Sequence, residues 1–504
     1  MKVVDYLKRR PMLLCGLCAS VLCVVGFYSR TAIFFLGLML IFLFFFLLQK
    51  RTSSVHMFVV FMLVITSVSV LMTYNKIDTA NKLDGTTVTG DFAVIKNPVN
   101  HGDYYSTIIK VRYSKEIASG TQIVAFVDDG GFEYGDKIVG TVKLSKINGN
   151  YRASDYSEKI YLTGNMDIIT VFRGEGGFVL STVSKLRKFI IDTLFSNMGY
   201  EEAATLTALT IGDRSYLSDE FYDNVKAAGV SHVMVVSGIH LAIIVSMVMK
   251  LTEKILYNRY LKAITVLLTV LFMAALCGFT KSILRAGLCY IIYAASIVLE
   301  RDNTPENTLG AAVTLLLIAE PFTVLSISFQ LSVLSTLGIT SAALPITKYL
   351  QKKALKNSLF IYVADLATVS LSAMLFTLPA TTYYFGYIST VAVLSNILIA
   401  FAVTLSLNFA VCGIIIYCGF PLGGHILLVA ASLVVKYMNF AVNKLGSLPL
   451  AAVRLGEYSF IFALLILFSV IFALFTCKRR QDMLKLKSMH EKIISEGGGK
   501  LKWR

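Results

Sequence analysis

Charge is scarce in this chain. Asp, Glu, Lys and Arg make up only 15% of its 504 residues, against 56% hydrophobic residues and a mean hydropathy of +0.70. No soluble domain of that length needs so much apolar surface, so a soluble globular fold is excluded. Clustered metal ligands are also missing: His56, His101, His232, His240, His425 and His490 are scattered. No Walker A run occurs, so nothing here supplies ATP energy. The eight cysteines lie within apolar runs or, for Cys477, at the end of one. They read as small hydrophobes, and the one long polar region contains none, so no disulfide is expected there.

Apolar stretches are abundant. Runs of about 18–20 residues, the length that crosses a bilayer core, recur along most of the chain. The net charge of +16 fits Lys and Arg gathered in cytoplasmic loops better than a nucleic-acid signature. Spans are expected near 11–28, 32–49 and 55–74, with Lys8, Arg9 and Arg10 before the first and Lys50 and Arg51 after the second. That bias puts the N-terminus in the cytoplasm and the residues after the third span outside.

Residues 75–178 change character. VTGDFAVIKN, YYSTIIKVRYSK, TQIVAFVDDG, YGDKIVGTVKLSK and EKIYLTGNMDIITVF carry alternating or β-branched patterns punctuated by Gly, Asn and Asp. They predict about five strands and a small OB-like barrel. With 12 Lys/Arg against 13 Asp/Glu, this region is not a basic groove. Only a patch around Lys110, Arg112 and Lys115 would favour nucleic acid. Residues 179–230 have helical periodicity but are too polar to span lipid, so helices on the outer membrane face or capping the bundle are expected.

A second bundle follows over 231–476, then a basic cytoplasmic tail, 477–504. Spans are expected near 232–249, 261–279, 282–299, 307–319, 322–345, 359–383, 424–443 and 456–476. The run 386–419 is long enough for two crossings, but two would put the basic tail outside. One crossing is inferred, leaving a re-entrant piece around ISTVAVLSNILI. The expected class is a polytopic α-helical membrane protein with about 11–12 transmembrane helices plus a re-entrant segment, and a small extracytoplasmic all-β OB-like domain. Residues 1–74 form its N-terminal anchor.

Within GVSHVMVVSGIHLAIIV, residues 229–245, ionisable groups sit in an apolar run. Such groups face a protein interior or a water-filled path. Ser237 and His240 are three apart, hence neighbours on a helix; His232 and His240 are eight apart, about 80° around the axis. The segment is either a packing seam or part of a path. Asp213 and Arg214 in IGDRS are either a cap and a surface residue or an ion pair at an outer mouth. Lys281 and Arg285, four apart, share a face at the outer start of a span, where a phosphate backbone would be attracted. Ser328, Ser332 and Ser335 share a face, with Gln330 off it. Pro379 and Asn396 flank the expected half-inserted piece.

ALTIGDRSYLSDEF followed by AGVSHVMVVSGIH resembles the ComEC competence family, in which a Gly-Asp-Arg stretch precedes Gly-x-Ser-His and Ser-Gly-x-His. GDKIVGTVKL, GFTKSILRA, AEPFTVLSISFQLSVLSTLGI and LPATTYYFGYISTVAVLSNIL are similar to other family segments, in order. The resemblance implies a channel taking single-stranded DNA across the bacterial cytoplasmic membrane. It would involve no covalent chemistry and no cofactor. Ser231, His232, Ser237, His240, Arg285, Gln330 and Asn396 would stand along the DNA path or gate, and Asp213, Arg214 and Lys281 at the outer mouth. Long members add a metallo-β-lactamase-like domain with an HxHxDH cluster, which these residues lack. A separate DNA receptor, ATP-driven motor and nuclease are therefore expected partners, besides membrane lipid. The alternatives are a secondary transporter of a polar solute, a Ser/His membrane enzyme, and a scaffold with an OB-like binding domain.

Overall fold

The computed structural model describes residues 10–49, 54–147, 152–234, 236–253, 257–300, 304–343, 346–347, 358–456 and 458–469. The basic tail after residue 476 lies outside them. Three helices open the chain: α1 (Pro11–Tyr28), α2 (Arg30–Gln49) and α3 (Ser54–Asn81). Pro11 starts α1 at a position where a missing N–H costs nothing. α3 runs past the expected end of its span, to Asn81. Its Thr66 and Ser67 hydroxyls bond back to the Met62 and Leu63 carbonyls at 2.8 and 3.0 Å. Each polar side chain is thus satisfied within its own helix, as a lipid surround demands.

β1 (Thr87–Val94), β2 (Val99–Asn100), β3 (Tyr105–Ser114), β4 (Gln122–Val127), β5 (Lys137–Lys146), α4 (Arg152–Ser157) and β6 (Ile160–Phe172) follow. All five expected strands are present, and β2 is an added two-residue edge. The pairing runs β1-β5-β6-β4-β3, and β3 returns to β1, closing the sheet. Only β4 with β6 is parallel. Inward residues alternate along the strands, so Phe92, Ile109, Val111, Ile123, Ile138, Val142 and Leu162 fill the barrel. Closure is tight at Gly90 and Gly140: a Cβ there would stand 2.5 Å from the Tyr113 and Asp167 carbonyl oxygens. Glycine is what lets the curved strands meet.

α5 (Phe178–Asn197), α6 (Tyr200–Ile211) and α7 (Asp219–Ala227) come next. Of these helices, expected on the outer membrane face or capping the bundle, α6 packs into the bundle. Every residue from Ala203 to Ile211 is buried, and Leu206 and Leu209 belong to the main bundle core. Its Thr210 spends its hydroxyl on the Leu206 carbonyl.

The bundle contains α8 (Gly238–Thr252), α9 (Arg259–Leu276), α10 (Lys281–Val298), α11 (Pro305–Ala319), α12 (Ile327–Gly338), α13 (Ser358–Phe385), β7 (Tyr387–Ser389), α14 (Ala392–Tyr417), α15 (Pro421–Gly446), β8 (Ala452–Arg454) and α16 (Ser459–Ser469). Among the described residues, seven helices (α1, α3, α9, α10, α13, α14 and α15) are long and apolar enough to cross a membrane. Shorter apolar stretches lie in α2, α8, α11, α12 with its following turn, and α16. This is a polytopic helical membrane protein. Exposed Phe34, Phe35, Phe42, Leu268, Phe401 and Phe440 give the helices an apolar exterior suited to lipid.

Three spans differ from expectation. The stretch 322–345 is broken into a 3₁₀ turn at Pro321–Leu325, α12, and a π turn at Ile339–Ala343. The expected re-entrant piece is absent, because α14 is one continuous helix. Gly386, at φ +67, and β7, paired antiparallel with the distant β8, end α13 and reset the chain before α14 starts. Ser395 is then accommodated in the helix by bonding the Val391 carbonyl at 3.0 Å. Irregular backbone occurs elsewhere, at 228–237, where a helix was expected from 232.

The N-terminal helices are part of the bundle rather than a separate anchor. α1 crosses α11 at Gly16 and Gly310, where a Cβ on Gly310 would lie 2.1 Å from the Met12 carbonyl oxygen. Arg10 and Glu306 form an ion pair at 3.3 Å at the end of this crossing. Cys15 and Cys18, spaced Cys-x-x-Cys within α1, are free thiols.

Candidate functional site

After Ala228, whose N–H still bonds the Asn224 carbonyl at 2.8 Å, residues 229–234 and 236–237 form no helix. Val230, Met234 and Val236 are buried among the bundle helices. Gly229, at φ +73, makes the turn possible, and a Cβ on it would strike Ala392 and Ser389 at 2.6 and 2.8 Å. Ser389 holds the same turn by donating its hydroxyl to the Ala227 carbonyl at 2.7 Å. β7 thus positions the irregular segment. Ser231 is half-buried. His232 is exposed.

α8 then begins with a reciprocal cap. Ser237 Oγ accepts the Ile239 N–H at 3.3 Å, and the Ser237 N–H donates to His240 Nδ1 at 3.1 Å. Histidine takes the place that Glu or Gln fills in the usual capping box. With Nδ1 as acceptor, the neutral imidazole carries its proton on Nε2. His240 is 1% exposed, and its Nε2 has no hydrogen-bond partner among the described residues.

Arg285 of α10 stands against this helix start. A Cβ on Gly238 would lie 3.7 Å from Arg285 Nη2. The guanidinium bonds Ser332 Oγ through Nη2 and Thr336 Oγ1 through Nη1, the latter at 3.4 Å. Arg285 is 6% exposed, its Nε has no partner, and no carboxylate pairs with it among the described residues. The Ser332 face of α12 therefore receives a buried cation.

The structure brings Ser237, His240 and Arg285 together, with Ser332 and Thr336, and places His232 on the adjoining segment. Other expected path residues are elsewhere. Gln330 braces the α12 elbow: its Nε2 donates to the Val324 carbonyl at 2.9 Å and its Oε1 accepts from Tyr384 at 3.0 Å. Asn396 is half-buried in the first turns of α14.

The expected outer-mouth residues hold parts of the fold together. Asp213 pairs with Arg187 of α5 at 3.2 Å rather than with its neighbour Arg214. It also accepts from Asn97 of the barrel at 3.3 Å, and Arg187 reaches the Leu276 carbonyl at 2.7 Å. Arg187 lies over the Tyr134 ring, whose hydroxyl burial pushes up in pKa. Arg214 instead bonds the Tyr222 hydroxyl at 2.9 Å. Lys281 pairs with Glu320, and Lys159 of the barrel meets the other oxygen of that carboxylate at 2.8 Å. Burial lowers the Lys159 pKa.

Sequence reasoning missed Glu320, Arg187 and Asn97. Glu320 had a signal, as an acid closing an apolar helix before Pro321. Arg187 had none, because its partners are distant in sequence. Among the described residues no three His, Cys, Asp or Glu side chains cluster as metal ligands.

The family described as Competence protein matches residues 209–480, more than half of the chain. That range includes α8, Arg285 and the α12 hydroxyls. The chain is also similar to ComE operon protein 3 of Bacillus subtilis (strain 168), at 24% identity over 299 residues. The alignment takes in 59% of this chain and 37% of that protein. No solved structure matches. With its matched region spanning the irregular segment and the bundle around Arg285, the chain belongs to the competence protein family.

Proposed function

We propose that the chain forms a channel that takes single-stranded DNA inward across the bacterial cytoplasmic membrane. The observation that carries this reading is Arg285, a buried cation held by hydroxyls with no carboxylate paired to it among the described residues. Buried charges are normally paired, so an arginine kept this way suits a polyanion in transit. The accessible His232 on the adjoining irregular backbone supports the same reading, since such backbone is tolerated deep in a membrane where it lines water.

The barrel belongs outside the membrane in this reading, and both termini in the cytoplasm. Its closed order, with one parallel pair between the third and fifth long strands, supports an OB-like fold. Lys110 and Arg112 point outward from β3, although Arg112 is also tied to the Glu175 carbonyl at 2.6 Å. A DNA receptor and an ATP-driven motor act with it in this reading.

One contact invites an enzymatic alternative: Ser237 Oγ lies 3.1 Å from His240 Nδ1, the reach of a nucleophile and its base. The cap accounts for it fully. Nδ1 already accepts the Ser237 N–H, and no third group orients Nε2. The reading therefore assigns no covalent chemistry.

His240→Gln tests the channel. Glutamine can complete the capping box, so folding and membrane insertion should survive. Uptake of labelled DNA by cells is measured at matched protein levels, beside a gene deletion. The deletion should abolish internalisation while DNA still binds the cell surface, and His240→Gln should reduce it. Unchanged internalisation in the deletion strain would refute the channel.

A further inference from the structure

We infer that Arg285 and the first turn of α8 form a binding site for a single backbone phosphate, a site that deepens the DNA-channel reading and rests on it. Two sources of positive potential converge here without an anion among the described residues. α8 has 15 residues, and its N-terminus carries the positive end of the helix dipole. The Arg285 guanidinium meets that end at Gly238 instead of avoiding it. Its partners, Ser332 and Thr336, are neutral hydroxyls, and its Nε–H is buried and unpartnered.

Repulsion between a buried cation and a helix N-terminus is costly in a low dielectric. An oxyanion between them removes the conflict. It would take Arg285 N–H donors and the Gly238 N–H, because helix starts are ready anion sites. The other cap donors are committed: the Ile239 N–H to Ser237 Oγ and the Ser237 N–H to His240 Nδ1. With those donors committed, the site takes one phosphate at a time, and a singly held phosphate can be passed on. Between phosphates, the guanidinium rests on Ser332 and Thr336.

Gly238 is part of the argument. Its φ is not in the left-handed region, so the backbone does not demand glycine there. What its missing side chain leaves is open approach to Arg285. An alanine Cβ would stand 3.3 Å from Ala286 Cβ and 3.7 Å from Arg285 Nη2, a fit requiring only a small shift. Gly238→Ala should therefore fold, and alanine favours helix, while it narrows the gap that a phosphate must enter.

The test uses the full chain in lipid nanodiscs. Fluorescence anisotropy measures binding of oligothymidylate with phosphodiester linkages, and of the same oligomer with uncharged methylphosphonate linkages, across a salt series. Arg285→Gln should weaken phosphodiester binding roughly ten- to hundredfold. It should reduce the log–log salt slope by about 0.7, the value for one phosphate contact on a single strand. Gly238→Ala should lower affinity in the same direction, and Arg285→Lys should keep the slope. Methylphosphonate binding should be indifferent to all three variants. Unchanged slope in Arg285→Gln together with unchanged affinity in Gly238→Ala overturns the site. If Arg285→Gln does not fold, Gly238→Ala decides alone.

Inorganic phosphate separates this site from the DNA reading. It should raise the melting temperature of the wild type more than that of Arg285→Gln or Gly238→Ala. That difference without any oligomer binding upholds the anion site and removes the DNA reading. Neither oligomer binding nor a phosphate difference overturns the site.

Discussion

Glu320→Gln is the sharpest test of how the barrel is coupled to the bundle. The carboxylate is shared by Lys281 of α10 and Lys159 of the barrel. Its side chain is 16% exposed, that of Lys281 is 17%, and that of Lys159 is 47%. Removing one partner of a fully buried pair costs about 3–5 kcal/mol, because the other charge is left stranded. Here the Lys281 pair is mostly buried, so a cost of about 2–3 kcal/mol is expected. The half-exposed Lys159 pair adds no more than about 1 kcal/mol. Stability of the purified protein in detergent is followed by thermal unfolding, for Glu320→Gln, Lys281→Gln and the double variant. Most of the loss reflects a stranded ammonium, so the double variant should be more stable than the sum of the single costs implies, by at least about 1 kcal/mol. Strict additivity, or a Glu320→Gln cost below about 0.5 kcal/mol, would refute the reasoning.

Three further outcomes follow from the fold and the proposed orientation. Gly310→Val should separate α1 from α11, since even a Cβ would stand 2.1 Å from the Met12 carbonyl oxygen; a loss of about 3 kcal/mol or failed assembly is expected, and normal yield and melting would contradict the crossing. Lys110→Cys, on the exposed outer face of β3, should react with a membrane-impermeant maleimide in intact cells; labelling only after permeabilisation would put the barrel on the cytoplasmic side. Asp213→Asn should loosen the barrel from α5, because Arg187 loses a buried partner 3.2 Å away; proteolysis between residues 173 and 180 should accelerate, and an unchanged rate would show that Asn97 and the rest of the interface hold it alone.

Much of this architecture is legible in the sequence because lipid leaves few options. Every backbone group must be satisfied internally, so apolar runs become helices, and strand alternation in residues 75–178 marks the barrel. What resists reading is the place where a helix fails to form. Charge parity led to residues 386–403, but no charge marks the actual irregular stretch. The signal lay in side-chain chemistry: Gly229 for the left-handed turn and Ser237 with His240 for a helix start. His240 was legible as a neighbour of Ser237, but as a cap partner it required knowing that α8 begins at Gly238. Arg285 was legible as a cation near one end of a span. Its isolation from carboxylates was not, since Lys281, one turn away, is paired with Glu320.

That contrast between two cations on one face of α10 is the strongest residue-level argument for transport. If the fold merely tolerated positive charge at this helix end, both would be neutralised alike. Lys281 is paired with an acid at the α11 end, a carboxylate it shares with Lys159. Arg285, buried further along the same helix, meets among the described residues two hydroxyls and a neighbouring helix N-terminus. The first arrangement fixes the barrel to the membrane bundle. The second keeps a cation available, at the point where the irregular segment becomes a helix. A packing role would be served as well by a leucine of similar reach, without the desolvation cost of a buried charge. Arg285→Leu should therefore fold and melt at or above the wild-type temperature while losing DNA internalisation. Internalisation preserved in a stable Arg285→Leu protein would show that the charge has no part in passage.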